Sequence, residues 1–239
     1  MLGFAGQRAT RHQFDQVRPV WAVCSALLDY PTQPLLDSLP ALEALVPGNP
    51  HLAGVFAHLR SHSLGELQQQ FVETFDHSRK CAPYLTYFAY GDTRRRGVAL
   101  VQFKEAYRAA GVEFDPQGAD ADELPDHLSV VLQFGATQDA ETAWGLLNDH
   151  RAGVEMLRLA LAAWDDGAGS PWQGVLQAVC ETLPRLQGEE AEAVRRLIEQ
   201  GPPAEEVGLQ PYGIDPRLNP GPDPQPLIAS AKIPVGAPR

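Results

Sequence analysis

The sequence predicts an all-α protein, a single globular domain of about ten helices followed by an extended proline-rich C-terminal tail. Apolar residues recur at three- and four-residue spacings from about residue 15 to 200, and no segment alternates with period two for long. The chain holds 29 leucines against 4 isoleucines, and unbranched side chains lose less rotamer freedom in a helix. With 239 residues, 44% hydrophobic and 21% charged, it is long enough to bury a sizeable core. The composition excludes collagen, coiled coil and wholesale disorder.

Val20, Val23, Cys24, Leu27 and Leu28 mark one face of a first helix, which Tyr30-Pro31 ends. Leu35, Leu36, Leu39, Leu42 and Leu45 mark a second, stopped by Pro47-Gly48; Leu52, Val55, Phe56 and Leu59 mark a third. Ser63 and Glu66 form a capping box that opens a helix carrying Leu64, Leu67, Phe71 and Phe75. Asp92 can cap the next, which carries Leu100, Phe103 and Tyr107 and ends at Gly111. A short helix is expected from Pro125, with Leu128, Val131 and Leu132 inward, and another over 139–148. The helix over 150–164 is apolar nearly all round and should be central. Ser170-Pro171 reads as N-cap and N1 of a helix with Val175, Leu176, Val179 and Leu183, and a last helix runs over 189–200. Residues 201–239 hold 10 of the 21 prolines and neither helix nor central strand can run through them. The expected organisation is therefore an N-terminal extension (1–14), a helical domain (15–200) and an extended tail (201–239).

A formal charge of −11 argues against nucleic acid as a partner and favours basic ones, such as a positively charged peptide. Cys24, Cys81 and Cys180 are widely spaced, which supports neither a disulfide framework nor a thiolate zinc site. The start lacks a secretory h-region, and Val20 to Leu28, the most apolar stretch, is far short of a membrane span. A cytoplasmic protein without membrane insertion is the expectation.

His58 and His62 lie four apart on one helix but no third ligand is suggested, so surface histidines are the better reading. Asp76-His77, Asp126-His127 and Asp149-His150 resemble dyad fragments, yet adjacent helical residues point about 100° apart. No GxSxG elbow and no P-loop occur. No catalytic residue, metal or cofactor is expected. Arg94-Arg95-Arg96 at a helix start could grip an acidic partner, although a solvated face accounts for it too.

Two clusters point to binding. Phe71, Phe75, Tyr84, Tyr87, Phe88 and Tyr90 fall within twenty residues; core packing is the default for some of them, but tyrosines with polar tips often line peptide grooves. Glu123-Leu124-Pro125-Asp126-His127-Leu128 is an acidic loop breaking into a helix. Asp126 there is either a ligand for a basic peptide or a local first-turn residue favoured by the helix dipole.

Taken together, Phe71-Val72-Glu73-Thr74-Phe75-Asp76, Asp92-Thr93-Arg94-Arg95-Arg96-Gly97, Tyr107 to Gly111 and Glu123 to Leu128 resemble the nitrate reductase molybdenum cofactor assembly chaperones, within the TorD-like redox enzyme maturation chaperones. The likeness covers roughly residues 18 to 200. Its most specific element is the loop with Glu123, Pro125, Asp126 and His127. The resemblance implies an all-helical, non-enzymatic chaperone. It would bind the N-terminal segment of the apo catalytic subunit of a respiratory nitrate reductase, holding it in the cytoplasm for molybdenum cofactor insertion before membrane docking. It nominates Pro125, Asp126 and His127 for the peptide site; Phe71, Phe75, Tyr84 and Tyr87 join them on the aromatic argument. Charge suggests that basic peptide residues meet Asp126, Glu123 and Asp76. The alternatives are a helical metal- or nucleotide-dependent enzyme built on His58, His62 or Asp149-His150, and a general helical scaffold.

Overall fold

The computed structural model describes residues 11–91, 93–113, 124–188, 191–192 and 194–196. The tail over 201–239 and most of the helix expected over 189–200 lie outside the described residues, as do Asp92 and Glu123.

Helix α1 (Arg11–Leu27) is the axis about which the others gather. Trp21, Val23, Cys24, Leu27 and Leu28 are almost fully buried, which is what their helical spacing demands. The helix starts ahead of residue 15 and buries Phe14 and Val17 as well, so the packed domain reaches further towards the N-terminus than periodicity suggests. It packs most extensively on α7 (Leu128–Thr137), then on α10 (Gln173–Glu181), α2 (Gln33–Leu45) and α8 (Ala140–Asp149). The Trp21 indole N–H donates to Thr182 Oγ1 at 2.8 Å, satisfying the one polar atom of a ring that is otherwise core.

Helices α3 (Leu52–Ser61) and α4 (Leu64–Phe75) follow α2, separated by the Ser63 cap. The capping box forms as expected, with Ser63 N–H donating to Glu66 and Glu66 N–H to Ser63 Oγ. After a 3-10 turn at Arg79–Cys81 comes the single turn α5 (Tyr87–Tyr90), then α6 (Arg94–Ala109). Gly111 adopts φ +81 just past α6, the left-handed residue that ends it.

Four helix limits differ from expectation. The helix placed at Pro125 starts at Leu128, because the segment 126–128 pairs its backbone with residues 83–85 instead. Helix α9 (Arg151–Ala162) ends before Trp164, where Asp165 and Asp166 turn left-handed at φ 52. Ser170 does not cap a helix at Pro171; its Oγ accepts from Trp172 N–H, and α10 begins at Gln173. On α6 the N-cap position falls to Thr93, which makes no side-chain cap.

Helix α9 is buried, but not because it is apolar all round. Arg151 and Glu155 are both under a tenth exposed and pair at 2.7 Å, with Arg158 Nε on the other Glu155 oxygen at 2.7 Å. The Glu155 carboxylate meets both guanidiniums one turn away on the same helix, which offsets much of the cost of taking this face inward.

Candidate functional site

The expected site residues fall into two groups. Tyr84, Tyr87, Pro125, Asp126 and His127 are brought together by a short antiparallel backbone pairing between residues 83–85 and 126–128. Leu85 N–H donates to Asp126 C=O at 3.0 Å and Leu128 N–H to Pro83 C=O at 2.8 Å. Proline at 83 suits this geometry, since only its carbonyl is needed. The strap rests on α9, where Gly153 lies so close to the Leu85 carbonyl that an added Cβ would sit 2.7 Å from it.

Asp126 is fully buried beneath this strap. Its Oδ2 accepts from Thr86 N–H at 3.1 Å and from the Thr86 hydroxyl at 2.6 Å. Arg96 Nε donates to the same threonine oxygen at 3.3 Å, and its guanidinium stands 3.9 Å from Asp126 Oδ2. That guanidinium also lies over the rings of Tyr84 and Tyr87, 5.2 and 5.7 Å from their centroids. Below, the Tyr107 hydroxyl donates to Pro125 C=O at 2.6 Å. Burial, then the Asp126 charge, push the Tyr107 phenol up, so it stays a donor at any ordinary pH.

The reading of Asp126 as a first-turn residue of its own helix is corrected by this geometry. The carboxylate is fully buried, and it does not cap α7. It instead holds the first turn of α5 through Thr86. The α7 cap is His127, whose Nδ1 accepts from Ser129 N–H at 3.3 Å, with the Ser129 hydroxyl 2.6 Å away. The His127 ring packs edge-on against Tyr84, centroids 5.2 Å apart. Asp126 and His127 thus turn to different partners and form no dyad.

His127 does not keep the ordinary imidazole range in this setting. Burial lowers it from 6.5 to about 4, and burial does the same to the less fully enclosed His150. Both stay neutral in the folded chain, while the unfolded chain protonates them below about pH 6.5. Their contribution to stability is complete above that pH and is lost as pH falls from 6.5 towards 4. Urea unfolding between pH 7.5 and 4.5 should show the loss, roughly 2–3 kcal/mol for each histidine, and His127→Gln should flatten the slope.

Phe71 and Phe75 form the second group and do not line a groove with the first. Both are buried, 4.7 Å apart, and each meets Trp172 edge-on at 5.6 and 5.8 Å. Tyr30, 44% exposed, stands at right angles over Phe71 and is the ring of that cluster that reaches solvent. Half-buried Tyr84 and Tyr87 are the accessible aromatics of the first group. Asp76 at the end of α4 is exposed.

Sequence reasoning did not place Thr86, Arg96 or Tyr107 at this site. Arg96 sat inside a noted arginine triplet, but nothing in the sequence pairs position 86 with 126.

His58 and His62 are engaged locally: His58 Nε2 lies 2.7 Å from Gln70 Oε1, and His62 Nδ1 lies 2.9 Å from His58 C=O. Among the described residues no group of three or more metal-ligating side chains gathers, and no helix is long and apolar enough to cross a membrane.

Residues 34–166 match the model of the nitrate reductase delta subunit family. The chain is 35% identical over 171 residues to the nitrate reductase-like protein NarX of Mycobacterium tuberculosis, a match covering 68% of this chain and 24% of that protein. It therefore spans about a quarter of the length of NarX. Against the nitrate reductase molybdenum cofactor assembly chaperone NarJ of Bacillus subtilis it is 30% identical over 180 residues, covering 66% of this chain and 95% of NarJ. In fold it is similar to a crystal structure of a redox enzyme maturation protein from Archaeoglobus fulgidus, with a TM-score of 0.52, 21% identity, and coverage of 76% of this chain and 98% of that one. The family match runs over more than half the sequence, on the helical core and the strap described above, and the chain belongs to the nitrate reductase delta subunit family.

Proposed function

We propose that this chain is an assembly chaperone of a respiratory nitrate reductase. It binds the N-terminal segment of the apo catalytic (alpha) subunit in the cytoplasm and holds it for molybdenum cofactor insertion, before the enzyme docks at the membrane. The observation that carries the reading is the similarity to Bacillus subtilis NarJ along nearly all of that protein. In this reading it acts by binding, with no reaction and no cofactor of its own.

The peptide site in this proposal is centred on Tyr84 and Tyr87. Pro125, Asp126 and His127 take part from beneath, by fixing the strap that presents the two rings. Phe71 and Phe75 support Tyr30 at a second edge. The partner segment docks as an amphipathic helix with apolar anchors against the rings and basic residues towards exposed Asp76. Ordering the segment costs a few kcal/mol, which keeps affinity moderate and release possible.

Calorimetric titration of the full chain with a synthetic N-terminal peptide of the nitrate reductase catalytic subunit tests this. One-to-one binding is expected, and Tyr84→Ala with Tyr87→Ala should weaken it about tenfold, the loss of two aromatic anchors. Absence of binding, or full affinity in the double variant at unchanged helical content, would overturn the site.

A further inference from the structure

We propose that the exposed face of α6 is a second docking surface, for an acidic amphipathic segment of a partner protein. Charge is the first argument. Residues 94–109 carry five cations (Arg94, Arg95, Arg96, Lys104 and Arg108) against the single carboxylate Glu105. The other 223 residues of the chain hold 14 basic against 29 acidic side chains, so α6 is an electropositive strip on a strongly acidic protein. The first turn holds three arginines and no acid, against the helix dipole. Arg96 is accounted for by the Asp126 network, whereas Arg94 and Arg95 are exposed.

Apolar exposure is the second argument. Val98 and Val101 are 64% and 52% exposed, although the opposite face of the same helix buries Ala99, Phe103 and Tyr107. Positions 94, 98, 101 and 105 share one stripe by helical spacing, so the stripe reads cation, valine, valine, carboxylate. Beside its cationic end is a concavity of about 350 Å³, lined by Ala89, Tyr90, Thr93, Arg94 and Arg95. That is room for one apolar or aromatic anchor.

An occupant that complements all three features is an amphipathic helix with carboxylates at the end facing Arg94 and Arg95, an anchor for the concavity, and small apolar side chains over Val98 and Val101. An anionic bilayer fits less well. Two valines bury too little area to insert, and the acidic remainder of the protein is repelled by such a surface. This surface is independent of the nitrate reductase reading, which rests on residues outside the α6 stripe.

The probe is a synthetic amphipathic peptide of about five helical turns, with glutamates flanking a leucine stripe, paired with its glutamate-to-lysine counterpart. Fluorescence anisotropy with the full chain should show binding of the acidic peptide only, weakening as salt rises. Arg94→Glu with Arg95→Glu should weaken it about tenfold or more, and Val98→Ser with Val101→Ser severalfold, with melting and helical content unchanged. Equal binding of the two peptides, or full affinity in the arginine variant, overturns the proposal. So does co-sedimentation with phosphatidylserine-containing vesicles that the arginine variant abolishes, in a chain that ignores the acidic peptide. Both variants should still titrate the nitrate reductase peptide normally, so the two readings fail separately.

Discussion

Asp126→Ala is expected to destabilise the chain by roughly 3–5 kcal/mol, lowering Tm by about 10 °C. The carboxylate is fully buried and holds three groups at once: the Thr86 N–H, the Thr86 hydroxyl and, at longer range, the Arg96 guanidinium. Deletion leaves a backbone donor without its acceptor and a mostly buried guanidinium without its nearest described counter-charge. Asp126→Asn keeps an acceptor for Thr86 but removes the charge, and should fall between the two. Denaturant unfolding of the three chains measures this. A loss below about 1 kcal/mol for the alanine variant would mean that the carboxylate is not structurally engaged. Peptide affinity in these variants is informative only at temperatures where circular dichroism shows them folded, because the strap carrying Tyr84 and Tyr87 depends on Asp126.

Gly174→Ala should cost roughly 3 kcal/mol or more, although alanine is the better helix former. In α10 the added Cβ would stand 2.1 Å from the His51 carbonyl oxygen and 2.9 Å from Val55 Cγ2. The obstacle is backbone, so α3 and α10 must move apart rather than repack a side chain. Gly145→Ala on α8, where the Cβ meets nothing within 4 Å, should be neutral or slightly stabilising and serves as the control. Thermal melts of both variants decide the matter. Equal Tm for Gly174→Ala and the parent would show that the α3–α10 approach is looser than the geometry requires.

Most of the helices were legible because each buries one stripe, and a stripe leaves a periodic trace. Val20 to Leu28, the Ser63–Glu66 box and Gly111 all specify their structure through neighbours within one or two turns. Where the reading slipped, the deciding contact was distant. Pro125 looks like a helix start, yet the residues after it, 126–128, pair with residues 83–85. Arg151 and Glu155 break an apolar pattern on paper but cancel each other once folded inward.

The candidate site divides in the same way. Its residue types and the loop from Glu123 to Leu128 are in the sequence, and so is the family likeness that they carry. Exposure is not. Asp126 reads as an available carboxylate by residue type, and only the crossing of the Tyr84 strand-like segment over the 126–128 segment turns it inward onto Thr86. Phe71 and Phe75 lie near the tyrosines along the chain, yet face Trp172, some hundred residues away, instead. By itself the sequence determined the helical class, the overall charge and the local caps, since those depend on side chains within reach of one helical turn. Tertiary structure alone decided which charges are buried and which are offered to a partner, because desolvation is a property of everything packed around a group and is absent from the group's own neighbours in sequence.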